Sequence, residues 1–217
     1  SATDSLLRMD FDLLNNKPDK VFVFFGMNDV DRYAYGDVEV TEEILERRRS
    51  ALARYEESME KIVRRLREAN VKEIVLLSPT PYEESAKIEE ENLRGVLGAL
   101  QHCAEFNERL AERYGCETVD LLNPMLAINR EMQKSDPTAS LAGPDRVHPT
   151  VVGQAVMAYL ILTAQQVPRN VFYASLGLAA STDNCAVSDV RQTEDGVEFQ
   201  LAPFAMPYPP FAELEQV

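Results

Sequence analysis

The sequence predicts an α/β fold, a parallel sheet with helices on both faces. Three observations predict it. Three apolar runs of strand length, "KVFVFFG", "EIVLLSP" and "CETVDLL", alternate with long stretches of helical periodicity. The first run has no polar alternation, which suits a strand covered on both faces. The composition, 45% hydrophobic and 27% charged with no low-complexity tract, is that of a globular chain of 217 residues, long enough for a large core.

The elements follow in order. "SLLRMDFDLLNN" clusters Leu6, Leu7, Met9, Phe11, Leu13 and Leu14, and reads as a short helix stopped before Pro18. The first strand closes at Gly26. Thr41 is the expected N-cap of the next helix, with Glu42 and Glu43 in its first turn and Arg64, Arg65 and Arg67 near its end. "EIVLLSP" predicts a strand over 73–79. A long helix is expected over 89–114, ended by Gly115. "CETVDLL" predicts the third strand. After an irregular stretch, "PTVVGQAVMAYLILTAQQ" reads as an apolar helix. From Val171 the character changes. "CAVSDVRQTEDGVEFQLAPF" reads as a hairpin turning at Asp195-Gly196, and "MPYPPF" is a proline-rich finish. The expected division is a domain over 1–167 and an extension over 168–217 packed on it, too short for its own core.

The net charge of −14 argues against nucleic acid, whose backbone calls for clustered Lys and Arg. Arg47, Arg48 and Arg49 lie among glutamates in a helical pattern and read as a solvated face. No run approaches the length of a membrane span. Cys103, Cys116 and Cys185 form no close-spaced pair and read as buried thiols. His102, mid-helix, has no second ligand at metal-binding spacing and reads as a satisfied or solvated histidine.

In doubly wound sheets ligands bind at the carboxyl ends of the strands. "GMND" (26–29), "SPTPY" (78–82) and "DLLNP" (120–124) fall there, and "DRVHP" enters the last helix from a loop able to face the same edge. An aspartate bonded to a histidine fixes the ring's tautomer and supports the imidazolium, the orienter–base half of a hydrolytic triad. Asp145 and His148 have that spacing. Asn28, after a strand, can donate its amide to a developing oxyanion. Gly26 lets the backbone turn sharply beside a ligand. Asp29, Arg32 and Tyr82 are possible pocket residues, as are Tyr33, Tyr35 and Pro81. Each motif alone also fits plain turn and capping chemistry; it is their joint placement at one sheet edge that points to catalysis.

"VFVFFGMND" and "DRVHPTVVGQAVMAYLIL", with "LLSPTPYEE" and "FNERLAERYGCETVDLL" between them, resemble blocks of the SGNH hydrolases, the GDSL lipase/esterase family, over roughly residues 1–167. The resemblance implies a flavodoxin-like three-layer α/β/α sandwich and ester hydrolysis without metal or organic cofactor. It implies Asn28 as oxyanion donor, His148 as general base and Asp145 as its orienter. The family's Gly-Asp-Ser nucleophile block and its second, glycine-bearing block are not in these residues. The expectation is therefore a serine esterase, acting on a small acyl ester such as an acetylated carbohydrate, with its nucleophile and the first β-α-β portion on an upstream segment. A split protein or a naturally short inactive form would also account for the gap. Ser1, Ser5 and Ser78 are poor substitutes, because a family nucleophile sits in a turn after a strand. The competing reading is an inactive SGNH-fold module that binds a glycan or a protein. A nucleotide binder ranks last, since no strand is followed by a glycine-rich phosphate loop. The family and the acidic charge lean toward a secreted or periplasmic home.

Overall fold

The computed structural model describes residues 1–167, 171–176 and 180–204. The chain divides into two compact units, Ser1–Ala164 and Gln165–Val217. In the first, β1 (Lys20–Phe24), β2 (Glu73–Leu77) and β3 (Glu117–Val119) run parallel in that spatial order. Five helices accompany them: α1 (Ala2–Asp12), α2 (Glu42–Glu68), α3 (Val96–Tyr114), α4 (Leu122–Met132) and α5 (Val151–Ala164).

Local chemistry accounts for several of the helix boundaries. Ser1 and Asp4 form a reciprocal capping box on α1. Thr41 accepts from the Ile44 amide at the start of α2. Gly115, left-handed at φ +64°, closes α3.

Two apolar clusters define the layers. Val21, Val23, Ile74 and Leu76 pack with Tyr55, Met59 and Ile62 of α2 and Leu100, Cys103 and Phe106 of α3. On the other face Val75, Leu77 and Val119 pack with Met125 of α4 and with α5. This is the helix–sheet–helix layering expected of the sequence, and β2 is buried on both faces over Ile74–Leu77.

Several elements differ from expectation. β1 is not covered on both faces: Val21 and Val23 are buried, but Phe22 and Phe24 are 45% and 41% exposed. Register places Phe22 beside Val75 and Phe24 beside Leu77, so the layer that covers β2 and β3 stops short of β1. The helix expected over 89–114 begins only at Val96. Residues 78–95 are a loop, and the Glu84 carboxylate reaches across it to cap α3, accepting from the Gly95 and Leu97 amides at 2.8 Å. The third strand is only Glu117–Val119, and the stretch expected to be irregular holds α4. Ser78 explains the change. Its hydroxyl, at the end of β2, accepts from the Leu121 and Leu122 amides and so caps α4 from a neighbouring strand.

In the second unit β6 (Cys185–Thr193) and β7 (Gly196–Pro203) form the expected hairpin. A further antiparallel pair, β4 (Tyr173–Leu176) and β5 (Ala180–Asp183), was not expected. "MPYPPF" lies outside the described residues. No helix of the described residues is long and apolar enough to cross a membrane.

Candidate active site

Asp145 and His148 meet in a tight turn between α4 and α5. Gly143 donates to the His148 carbonyl at 2.8 Å, Thr150 donates to the Leu141 carbonyl at 2.8 Å, and Ala142 and Pro149 bridge, so the turn is closed at its base. Thr150 also caps α5, its hydroxyl accepting from the Gly153 amide at 3.1 Å. On the outside of this turn one oxygen of Asp145 bonds His148 Nδ1. The other accepts from the Val147 and His148 amides, both at 3.0 Å.

The His148 side chain, foremost, and these backbone donors pull the Asp145 carboxyl down to about 2. The ionised carboxylate only accepts, so in the neutral imidazole Nδ1 carries the proton and Nε2 the lone pair. The imidazole is 82% exposed, and Nε2 has no hydrogen-bond partner among the described residues.

Asn28 lies in the turn that follows β1. Gly26 starts that turn at φ +138°, a backbone conformation that an L side chain rarely adopts, and a Cβ there would meet Pro79 Cβ at 2.9 Å. Asp29 fastens the turn. It accepts from the Gly26 amide at 3.0 Å and from the Ala2 amide of α1 at 2.8 Å. Asn28 Oδ1 receives a long bond from Arg32 at 3.5 Å, which leaves its amide N–H groups to donate elsewhere. Ser1, Gly26, Asn28, Asp29, Pro79 and Thr80 line a cavity of about 250 Å³ at the strand ends.

The remaining sequence candidates take other places. Tyr82 is buried, its hydroxyl accepting from the Leu93 amide and donating to the Glu91 carbonyl, and it does not line the cavity beside Asn28. Arg32 contacts Asn28. Tyr35 is buried under the Arg48 guanidinium, while Tyr33 is exposed. Ser1 and Ser5 are tied into the first turn of α1 and Ser78 into the cap of α4. His102 bonds Glu56 at 2.7 Å. Burial holds the Cys103 thiol well above its usual range. Among the described residues no three His, Cys, Asp or Glu side chains cluster as metal ligands.

Sequence reading missed two charged residues in quoted motifs. Arg146, inside "DRVHP", and Glu83, inside "PYEE", are 2% and 1% exposed. A charged side chain with an ordinary surface spacing gives no sign that it points inward.

The family model of GDSL-like lipases/acylhydrolases matches residues 3–161. A comparison with curated proteins returned no match. Among solved structures, BT4096, a gut microbial diltiazem-metabolizing enzyme, is 30% identical with a TM-score of 0.79 over 96% of this chain. This chain spans 48% of the length of that protein. LAE5, an alpha/beta hydrolase enzyme from the metagenome of Lake Arreo, Spain, is 27% identical with a TM-score of 0.54, covering 76% of this chain and 68% of its own. The acetyl xylan esterase AlAXEase shares the fold at 24% identity and a TM-score of 0.59, covering 76% of this chain and 75% of its own.

Proposed function

The chain belongs to the GDSL-like lipase/acylhydrolase family, and on that premise we propose that it carries the base, orienter and oxyanion donor of a serine ester hydrolase. The bond between the Asp145 carboxylate and His148 Nδ1, with Nε2 left open to solvent, carries the reading. His148 Nε2 takes the proton of a serine hydroxyl as that oxygen attacks the ester carbonyl, and returns it to the leaving alcohol. Asp145 holds the ring and offsets the imidazolium charge. The amide of Asn28 stabilises the negative oxygen of the tetrahedral intermediate. Gly26, Asp29 and Arg32 shape and fasten the turn that presents it.

The serine belongs to a segment outside these residues. In support, β1 pairs only with β2 among the described residues, and Phe22 and Phe24 continue an apolar face that α4 and α5 cover elsewhere. A strand added at the free edge of β1 would deliver its following turn to the same sheet edge as Asn28. The substrate is a small acyl ester, an acetylated carbohydrate being the leading class by analogy with the acetyl xylan esterase of the same fold.

A second reading, an inactive glycan- or protein-binding module, is favoured by one observation: the hydroxyls of Ser1, Ser5 and Ser78 are all committed to caps or turns. Hydrolysis of 4-nitrophenyl acetate by the full-length protein, with and without His148→Ala, separates the two. Turnover that the variant loses supports the esterase; no turnover in either, or equal turnover in both, removes it.

A further inference from the structure

The turn that presents Asp145 and His148 is built inside out. Of its four residues, the first and last face solvent and the middle two, Arg146 and Val147, are buried. Arg146 achieves this in the left-handed region at φ +63°, a strained conformation for a bulky residue. Its guanidinium makes five hydrogen bonds to four backbone carbonyls: Nε and Nη2 to Glu90, Nη1 to Glu83 and Ala86, and Nη2 to Ile88, at 2.9–3.2 Å. Among the described residues no carboxylate lies within ion-pair distance of it.

Glu83 ties the backbone of the same turn as well. The Glu83 amide donates to the Arg146 carbonyl at 3.0 Å. Its buried carboxylate accepts from the Ala86 amide at 2.9 Å, from the amide and hydroxyl of Ser85, and from Asn129 Nδ2. Asn129 Oδ1 in turn accepts from the Leu141 amide at 2.8 Å, at the start of the turn's base. Glu83, Asn129 and Arg146 thus close a buried ring that grips the turn at Leu141 and at Arg146.

A buried guanidinium is an expensive filler, and an apolar side chain of equal volume is often as stable or more so. What the guanidinium adds is direction, since its planar fork fixes several acceptors at once. Those acceptors belong to a loop without regular structure, so the fork welds that loop to the turn.

We propose that Arg146, bonded to Glu83, which Asn129 holds in turn, is the positioning residue of the Asp145–His148 pair, locking the orientation of the dyad against the loop over 83–90. The proposal rests on the esterase reading for its kinetic readout only.

The test uses the full-length protein as wild type, Arg146→Lys, which keeps a charge and loses the fork, and Glu83→Gln, which keeps the shape and loses the charge. Hydrolysis of 4-nitrophenyl acetate and the carboxyl ¹³C titration of Asp145 are measured on each. The expected result is kcat lowered about 10²-fold with KM within about twofold, as misplacement of a catalytic group by about 1 Å produces. The Asp145 midpoint is expected to rise from about 2 toward 3.8. Folded variants with wild-type kcat and an unmoved midpoint overturn the proposal, as does a raised KM with kcat intact. If the wild type hydrolyses nothing, the esterase reading fails while the Asp145 titration still decides the positioning claim. Should neither variant fold, native-state amide exchange of the wild type decides. The Glu83, Leu141 and Gly143 amides are expected to open as one unit, and opening rates separated by more than about tenfold overturn it.

Discussion

At Asp145 the two carboxylate oxygens have separate tasks: one holds the imidazole, and the other holds the backbone of the turn. Protonation therefore loosens both at once. The sign follows from the lowered pKa. A group depressed to about 2 from 3.8 contributes stability that is present above 3.8 and lost as pH falls through 2. Half the side chain is exposed, so solvent screens the effect and the global contribution is small. We expect the Asp145 carboxyl to titrate near 2 by ¹³C NMR; a midpoint at 3.8 would mean that the bond to His148 is not formed in solution. Asp145→Asn keeps the shape but permits the wrong tautomer, and by analogy with hydrolytic triads it should lower kcat by about 10⁴. Asn28→Ala, which deletes the proposed oxyanion donor, should cost about 10² to 10³ in kcat. Both are read by ester hydrolysis in the full-length protein, and a kcat within about tenfold of wild type would detach that residue from the chemistry. The pairing of Asp145 with His148 was legible in the sequence because both lie in one turn, and the place of Asn28 in the turn after β1 because it directly follows an apolar run. Arg146 and Glu83 were not. They meet across 63 residues, and nothing in "PYEE" announces a carboxylate destined for the interior.

The same contrast governs the elements. α2 was legible from Thr41 onward because its cap, apolar stripe and terminal charges are all written within it. The segment 83–95, rich in glutamate, has the composition of a helix and is a loop. Arg146 occupies the carbonyls of Glu83, Ala86, Ile88 and Glu90, acceptors that a helix would spend on its own amides, and Glu84 is drawn away to cap α3. α4 was missed for a related reason, since its cap is Ser78 on a different strand. One element junction yields a sharp prediction. Gly153, in the first turn of α5, lies against the base of the turn that holds Asp145 and His148: a Cβ there would meet the Leu141 carbonyl oxygen at 2.2 Å and Pro149 Cβ at 3.0 Å. Both neighbours are backbone or ring atoms that cannot swing aside. Gly153→Ala should therefore destabilise the protein by about 1–3 kcal/mol, although alanine favours a helix by about 1 kcal/mol over glycine. It should also displace His148, so kcat is expected to fall together with the melting temperature. An unchanged melting temperature would show that α5 and the turn separate easily.

Over the whole molecule the sheet is asymmetric. β2 is sealed on both faces, whereas the free edge of β1 carries two half-exposed phenylalanines in register with Val75 and Leu77. Leu7 and Phe11 of α1, 85% and 81% exposed, add to the uncovered apolar surface of this unit. Half-exposed aromatics on a free strand edge are a liability for pairing with other chains. If further chain pairs with β1 and brings the nucleophile to Asn28, as proposed, Phe22 and Phe24 become core residues in the full-length protein. The two cases differ by a measurable amount. Truncating a core phenylalanine costs about 3–5 kcal/mol, whereas a surface substitution usually stays within about 0.5 kcal/mol. Phe24→Ala in the full-length protein is thus expected to lower stability by several times the surface value in a denaturant titration, and Phe22→Ala likewise. Val21 and Val23, buried against α2 and α3 in either case, serve as the internal reference. Near-neutral phenylalanine variants beside destabilised valine variants would leave the β1 face open to solvent, and the serine would then have to reach His148 by another route.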